Sequence, residues 1–156
     1  MRDGFKIIAI LHNIRSAYNV GSMFRSADAL GIDKIYLGGY SPTPEHKKVV
    51  KTSLGAEVVV EWEYRRQTYV LLKELKMQGY QIIAVELDKR SVPLEMFVPA
   101  GNNRLAIMMG NEVRGLSNTM LDYADTIVEI PMQGIKESLN VSVAFAIAAY
   151  ELRKKA

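Results

Sequence analysis

The chain contains no cysteine and only two histidines, His12 and His46. Without thiols there is neither a disulfide frame nor a thiolate metal site, and two histidines so far apart do not complete a zinc site alone. No metal centre is therefore expected. No segment approaches the roughly 20 consecutive apolar residues that span a bilayer, so no membrane partner is expected either. The N-terminus, MRDGFKIIAIL, is charged and then runs straight into an apolar strand pattern, unlike a secretory signal. That predicts a cytoplasmic protein. The familiar phosphate and nucleophile motifs are missing as well. The turn after the first strand, HNIRSAYNVGS, lacks Gly-x-Gly-x-x-Gly; no Gly-x-x-x-x-Gly-Lys-Ser/Thr occurs; and no serine sits in a Gly-x-Ser-x-Gly elbow. Dinucleotide-binding, P-loop and ordinary hydrolase readings fail on these grounds. Internal repeats, linkers and low-complexity stretches are also absent.

What is present is 156 residues with 49% apolar and 24% charged side chains, enough for one domain over residues 1–156 with a full core and no appended domain. The net charge of +3 permits an anionic partner without requiring one. Apolar runs at Lys6–Leu11, Lys34–Leu37, Glu57–Trp62, Tyr80–Leu87, Leu105–Met109 and Thr126–Ile130 read as strands. Between them, helical spacing predicts helices from Tyr18 or Asn19 to Leu30, over Glu45–Leu54, over Gln67–Met77 and near Ser117–Tyr123. Asn19 is a candidate N-cap of the first helix and Ser138 of a final helix running to Lys154. Ser91–Pro99 reads as a proline-punctuated connector or short helix. Strands alternating with helices predict an α/β domain with a mostly parallel sheet flanked by helices. The final helix has almost no polar face before Glu151, which predicts burial on more than one side. Self-association through this helix is one explanation; a deep position within the chain is the other.

The last third of the sequence carries the strongest chemical signal. Leu105–Met109 and Thr126–Ile130 stop at Gly110 and Pro131, and each then releases a polar string: Asn111, Glu112 and Arg114, then Glu137, Ser138 and Asn140. Ligands of open α/β sheets collect at the carboxyl ends of strands, so two decorated ends predict a site. The first polar turn adds Asn13, Arg15, Asn19 and Arg25.

These segments resemble three motifs of the SpoU (TrmH-like) branch of the SPOUT RNA methyltransferases, in the family's order. They are Asn19-Val-Gly-Ser-Met-Phe-Arg25-Ser-Ala-Asp-Ala-Leu-Gly-Ile-Asp, Gly110-Asn-Glu112-Val-Arg-Gly115-Leu, and Ile130-Pro-Met-Gln-Gly-Ile-Lys-Glu-Ser138-Leu-Asn140-Val-Ser-Val-Ala. The resemblance covers nearly the whole chain. It implies methyl transfer from S-adenosylmethionine to a ribose 2′-hydroxyl of tRNA or rRNA, a homodimer formed through the C-terminal helix region, and a C-terminal trefoil knot. It also implies the site: Asn19, Arg25, Glu112, Ser138 and Asn140 in catalysis; Met109, Gly110, Asn111, Ile130, Met132, Ser138 and Leu139 around the cofactor; Arg15, Arg25 and Arg114 toward RNA. Where family members often carry a proline before the first-motif asparagine, this chain has Ala17-Tyr18.

The chemistry suits those residue types. An attacking hydroxyl must be held about 3 Å from the methyl carbon and must lose its proton. A guanidinium binds the neighbouring phosphate and stabilises charge growing on the oxygen. The family's role for this arginine as base is physically awkward, because a guanidinium normally stays protonated. Glu112 is expected to orient Arg25 or a backbone group, and Ser138 and Asn140 to position the ribose or fix their loop. Each residue also has a plainer role: Asn19 and Ser138 as caps, Glu112 as a turn carboxylate paired with Arg114, His12 as a loop histidine. Two other functions compete. One is an RNA-binding or assembly protein on the same fold without turnover; the other is a base-directed methyltransferase of another SPOUT branch.

Overall fold

A computed structural model describes residues 4–156. Seven strands form one sheet: β1 (Lys6–His12), β2 (Lys34–Gly38), β3 (Glu61–Arg65), β4 (Gln81–Val85), β5 (Val92–Pro93), β6 (Arg104–Met109) and β7 (Thr126–Glu129). Their spatial order is β3-β2-β1-β6-β4-β7-β5 and every pairing is parallel. Six helices connect them: α1 (Ala17–Ala29), α2 (Lys47–Ser53), α3 (Ala56–Val59), α4 (Thr68–Met77), α5 (Asn118–Asp122) and α6 (Val141–Lys155). No helix among the described residues is long and apolar enough to cross a membrane.

The central strands are apolar without alternation because both sheet faces are covered. Ile7, Ala9 and Leu11 of β1 face a core shared with Val20, Phe24 and Ala27 of α1 and with Phe145, Ala148 and Leu152 of α6. Ile8 and Ile10 face the opposite core, with Leu71, Leu72 and Leu75 of α4 and Met120 and Leu121 of α5. Phe24 and Phe145 are fully buried, and such a side chain contributes about 1.5–3 kcal/mol relative to exposure.

The predicted third strand over Glu57–Trp62 is displaced. Leu54 and Gly55 both take positive φ, 52° and 94°, and turn the chain into the single helical turn α3. Val58 and Val59, which read as strand core, are 83% and 72% exposed. The strand begins only at Glu61, where Lys34 of β2 reaches both Glu61 and Glu63 at 2.9 Å. The connector over 91–99 contains both the edge strand β5 and a short 3-10 turn, Leu94–Met96.

Two strands are inserted late: β6 between β1 and β4, and β7 between β4 and β5. Since all strands run in one direction, the loops after β1, β4, β6 and β7 emerge at one edge. The polar strings of the sequence lie in these loops.

Candidate active site

The loop after β6 is a tight turn around one amide. Asn111 Oδ1 accepts the backbone N–H groups of Val113 and Arg114 at 2.9 and 2.8 Å, and Gly115 N–H donates to the Asn111 carbonyl at 2.9 Å. Gly110 has no room for a side chain: a Cβ there would lie 2.7 Å from Leu116 Cγ and 2.8 Å from the Gly115 carbonyl carbon. Glu86, the first polar residue after β4, closes the loop from the other side by accepting the Leu116 N–H at 2.9 Å.

This turn presents Glu112 to the start of α1. Its carboxylate accepts the N–H of Arg15 at 2.8 Å, the N–H of Ser16 at 3.0 Å and Asn19 Nδ2 at 3.1 Å. Burial works to raise the Glu112 pKa, but the Ser16, Arg15 and Asn19 donors together outweigh it and hold the carboxyl below its ordinary 4.5. Asn19 passes the connection on, because its Oδ1 accepts Asn140 Nδ2 at 3.2 Å. Asn140 in turn accepts the N–H groups of Ser142 and Val143 and so caps α6. Three segments about 30 to 120 residues apart are thus joined in one line, Glu112 to Asn19 to Asn140.

Two expected caps are corrected by this arrangement. Ser16, not Asn19, is the N-cap of α1, its hydroxyl accepting the Asn19 N–H at 3.3 Å; Asn19 lies one turn inside with its amide free for the tertiary link. Asn140, not Ser138, caps the last helix, which starts at Val141. Glu112 orients backbone groups and Asn19 and makes no ion pair with Arg25 or Arg114 among the described contacts.

Between the loops after β4, β6 and β7 lies a cavity of about 630 Å³. Met109, Gly110, Asn111, Ile130, Met132, Ser138 and Leu139 all line it, with Glu112. Val85, Leu87, Val141 and Ala144 add apolar wall, and Glu86 and Glu129 add carboxylates that the sequence reading missed. Glu86 stands immediately after an apolar run, at a strand end, which is the signal that exposed the other two loops. Such a lining fits an adenosine-bearing cation: apolar sides for a ring, backbone groups at Gly110 and Ile130 for its edges, and nearby negative charge.

Arg25 is not among the residues lining this cavity. It is exposed on α1, and its side chain has no hydrogen bond or ion pair among the described residues. Arg15 and Arg114 are exposed at the cavity's edge loops with side chains likewise without an acidic partner. His12 ends β1 rather than lying in a loop; its Nδ1 is 2.7 Å from Thr68 Oγ1, and burial lowers its pKa. No group of three or more potential ligands is positioned for a metal ion among the described residues.

A second, apolar groove of about 580 Å³ runs between α1 and α6, lined by Ala29, Leu30, Ala146, Ile147 and Tyr150 and by Ile130 and Pro131. α6 buries Val141, Phe145, Ala148, Ala149 and Leu152 within the chain. Its other side leaves Val143, Ile147 and Tyr150 46%, 39% and 59% exposed. The chain therefore covers this helix on one side only, which removes the deep intrachain position as an explanation of its composition. Ile130 and Pro131 belong to both the groove and the cavity.

Comparison with known proteins gives a consistent picture. Residues 6–150 match the SpoU rRNA Methylase family. A tRNA (guanosine(18)-2'-O)-methyltransferase from Borreliella burgdorferi is 32% identical over 143 residues, 92% of this chain and 64% of that protein. Among solved structures, an AdoMet-bound rRNA methyltransferase from Sinorhizobium meliloti superposes with a TM-score of 0.88 at 26% identity, over 98% of this chain and 57% of that one. The TrmH/SpoU tRNA modifying enzyme of A. aeolicus superposes at 0.85 with 29% identity, over 96% and 75%. The chain spans between half and two-thirds of the length of the curated relatives it matches.

Proposed function

The chain belongs to the SpoU methylase family, and on that footing we propose that it methylates a ribose 2′-hydroxyl of tRNA or rRNA with S-adenosylmethionine. The observation that carries this reading is the line Glu112–Asn19–Asn140. It ties the three family motifs together beside a cavity whose lining suits the cofactor. When bound, S-adenosylmethionine supplies a methyl group on a positively charged sulfur. Met109, Gly110, Asn111, Ile130, Met132, Ser138 and Leu139 would hold it. The trefoil knot that the resemblance implies belongs to the same proposal; residues after β7 line the cavity together with Glu86 and Leu87 after β4.

The remaining task is to hold the ribose and stabilise its oxygen as the proton leaves. Arg25 has the chemistry for this but stands outside its own chain's cavity lining. A homodimer resolves the mismatch. Closed two-fold interfaces bring the same patch of both subunits together, and the groove along α1 and α6 shares Ile130 and Pro131 with the cavity. A second chain seated in that groove would bring its α1, and Arg25 with it, to the cofactor's edge. There the guanidinium would bind the phosphate beside the target ribose and stabilise the developing oxyanion. Arg15 and Arg114 would contact flanking phosphates.

The test takes RNA from a strain lacking the protein, separated into tRNA and rRNA pools, with cofactor binding measured by calorimetry. Binding followed by methyl incorporation that maps to ribose, by nuclease digestion and mass spectrometry, supports the proposal. Cofactor binding without incorporation favours the silent RNA-binding reading. A methyl group on a base assigns the chain to base-directed chemistry instead.

A further inference from the structure

Tyr40 is an aromatic residue that the fold anchors at its backbone and at its hydroxyl and yet leaves in solvent. Its backbone N–H donates to Asn13 Oδ1 at 3.1 Å, and its hydroxyl accepts Asn111 Nδ2 at 3.0 Å. The next residue, Ser41, is 3% exposed and doubly anchored, donating to the Leu11 carbonyl at 2.7 Å and accepting the Ile14 N–H at 2.8 Å. Asn13 itself takes a positive φ of 54° to reach this turn, a conformation that Asn tolerates better than most residues. With so much of its surroundings fixed, the Tyr40 side chain is still 60% exposed. Beside it, Tyr64, 45% exposed, donates its hydroxyl to the Gly39 carbonyl at 2.7 Å.

Core packing does not account for a held ring in solvent. Its position does suggest a use. Asn111 is the amide that shapes the Gly110–Leu116 turn, and it also lines the cavity. The ring therefore stands one hydrogen bond from the place where the reaction would occur. Arg15 and Arg114 lie in the two loops that Asn111 joins, through its second bond to the Asn13 carbonyl at 3.1 Å. Exposed aromatic faces, with cationic side chains in the neighbouring loops to meet phosphates, are how proteins hold unpaired bases.

We propose that Tyr40 is a stacking platform for an unpaired RNA base next to the nucleotide being modified, held in place by Asn111. This rests on the reading of the chain as an RNA methyltransferase. Because the ring is anchored at its hydroxyl before RNA arrives, less ordering is required on binding. The hydroxyl serves the protein and the face serves the RNA, so the two can be separated by substitution.

The experiment compares the parent chain with Tyr40→Ala and Tyr40→Phe. Affinity for unmethylated tRNA and rRNA pools is measured by filter binding across a salt series, and S-adenosylmethionine affinity by calorimetry. Tyr40→Ala should weaken RNA binding about tenfold, the loss of one stacked base. The slope of log affinity against log salt should stay unchanged, because no phosphate contact is removed. Tyr40→Phe keeps the face and should bind RNA within about threefold of the parent, and both variants should bind the cofactor normally. Parental RNA affinity in Tyr40→Ala overturns the proposal. So does an equal RNA defect in both variants accompanied by weaker cofactor binding, which would make Tyr40 a strut for the loop. A parent chain that binds RNA but transfers no methyl group defeats the enzymatic reading, while the Ala and Phe affinities still judge the stacking. A parent that binds neither pool defeats both.

Discussion

Replacing Glu112 with glutamine changes one atom and tests the centre of the site. The carboxylate accepts two backbone N–H groups at the start of α1 and the Asn19 amide. Glutamine can keep its oxygen toward Ser16, Asn19 and, at 3.1 Å, Arg15, but its amide nitrogen then stands where Oε2 took the shorter 2.8 Å bond from the Arg15 N–H, donor against donor. One charge-assisted bond is lost, worth about 1.5–3 kcal/mol, and so is a negative charge at a helix N-terminus, about 0.3–1 kcal/mol. Partial exposure of Glu112 reduces both, so the expected destabilisation is about 2 kcal/mol, or roughly 4–8 °C in Tm for a chain of this size. Urea unfolding of both proteins at one fixed concentration measures it. The pH dependence has a definite sign. The folded-state pKa is held below the ordinary 4.5, so this stabilisation is fully present above that value. It is lost as pH falls through the folded pKa. The parent's advantage over Glu112→Gln should therefore be constant from neutral pH down to about 5 and shrink below it. Equal stability at pH 7, or a difference that persists unchanged at the acid end, would refute the role given to the carboxylate.

Arg25→Ala should reduce methyl transfer by about 100-fold or more while leaving cofactor affinity within about twofold; loss of cofactor binding in calorimetry would overturn the assignment. Gly110→Ala forces a Cβ to within 2.7–2.9 Å of Leu116 Cγ and the Gly115 carbonyl group. Two of those three atoms are backbone and cannot swing aside, so the variant should lose about 1–3 kcal/mol in urea unfolding and bind cofactor poorly, and a parental dissociation constant would contradict the tight turn. Ile147→Asp puts a charge on the uncovered side of α6 and should convert a dimer to monomer in sedimentation velocity, with helical circular dichroism retained and transfer abolished. An unchanged sedimentation coefficient would remove the groove as the interface.

The parts of the fold legible in the sequence were those where local pattern and tertiary burial agree. Residues 7–11 of β1 and 105–109 of β6 are apolar without a break because each strand is paired on both sides and covered on both faces. The misplaced third strand shows the converse. Val58-Val59-Val60 has strand composition, yet positive φ at Leu54 and Gly55 sets a helical turn first, and only Val60 of the three is buried. β5 is two residues long and carries a proline, so it has no periodicity to read. The sheet order was not legible at all. Nothing local tells β6 to enter between β1 and β4, because pairing across a sheet is a non-local choice that the residues of one strand do not encode.

Within the candidate site, the Glu112–Asn19–Asn140 line was legible for a different reason, because its hydrogen bonds dictate residue types, whereas the place of Arg25 outside the cavity lining was not. At neutral pH Glu112 offers only acceptors, so the group facing it from α1 must donate. At the other end, the first N–H groups of α6 donate, so Asn140 must turn its oxygen to them and its nitrogen outward. Asn19 stands between, and has to give a donor to Glu112 and an acceptor to Asn140. A primary amide is the short side chain that offers both. Aspartate at 19 would set a carboxylate against Glu112 and lose the donor; serine would be too short to reach both partners. The amides at 19 and 140 follow from a carboxylate at one end of the line and a helix N-terminus at the other. That polarity gives a physical reason for two asparagines and a glutamate to be shared by three segments so remote in sequence.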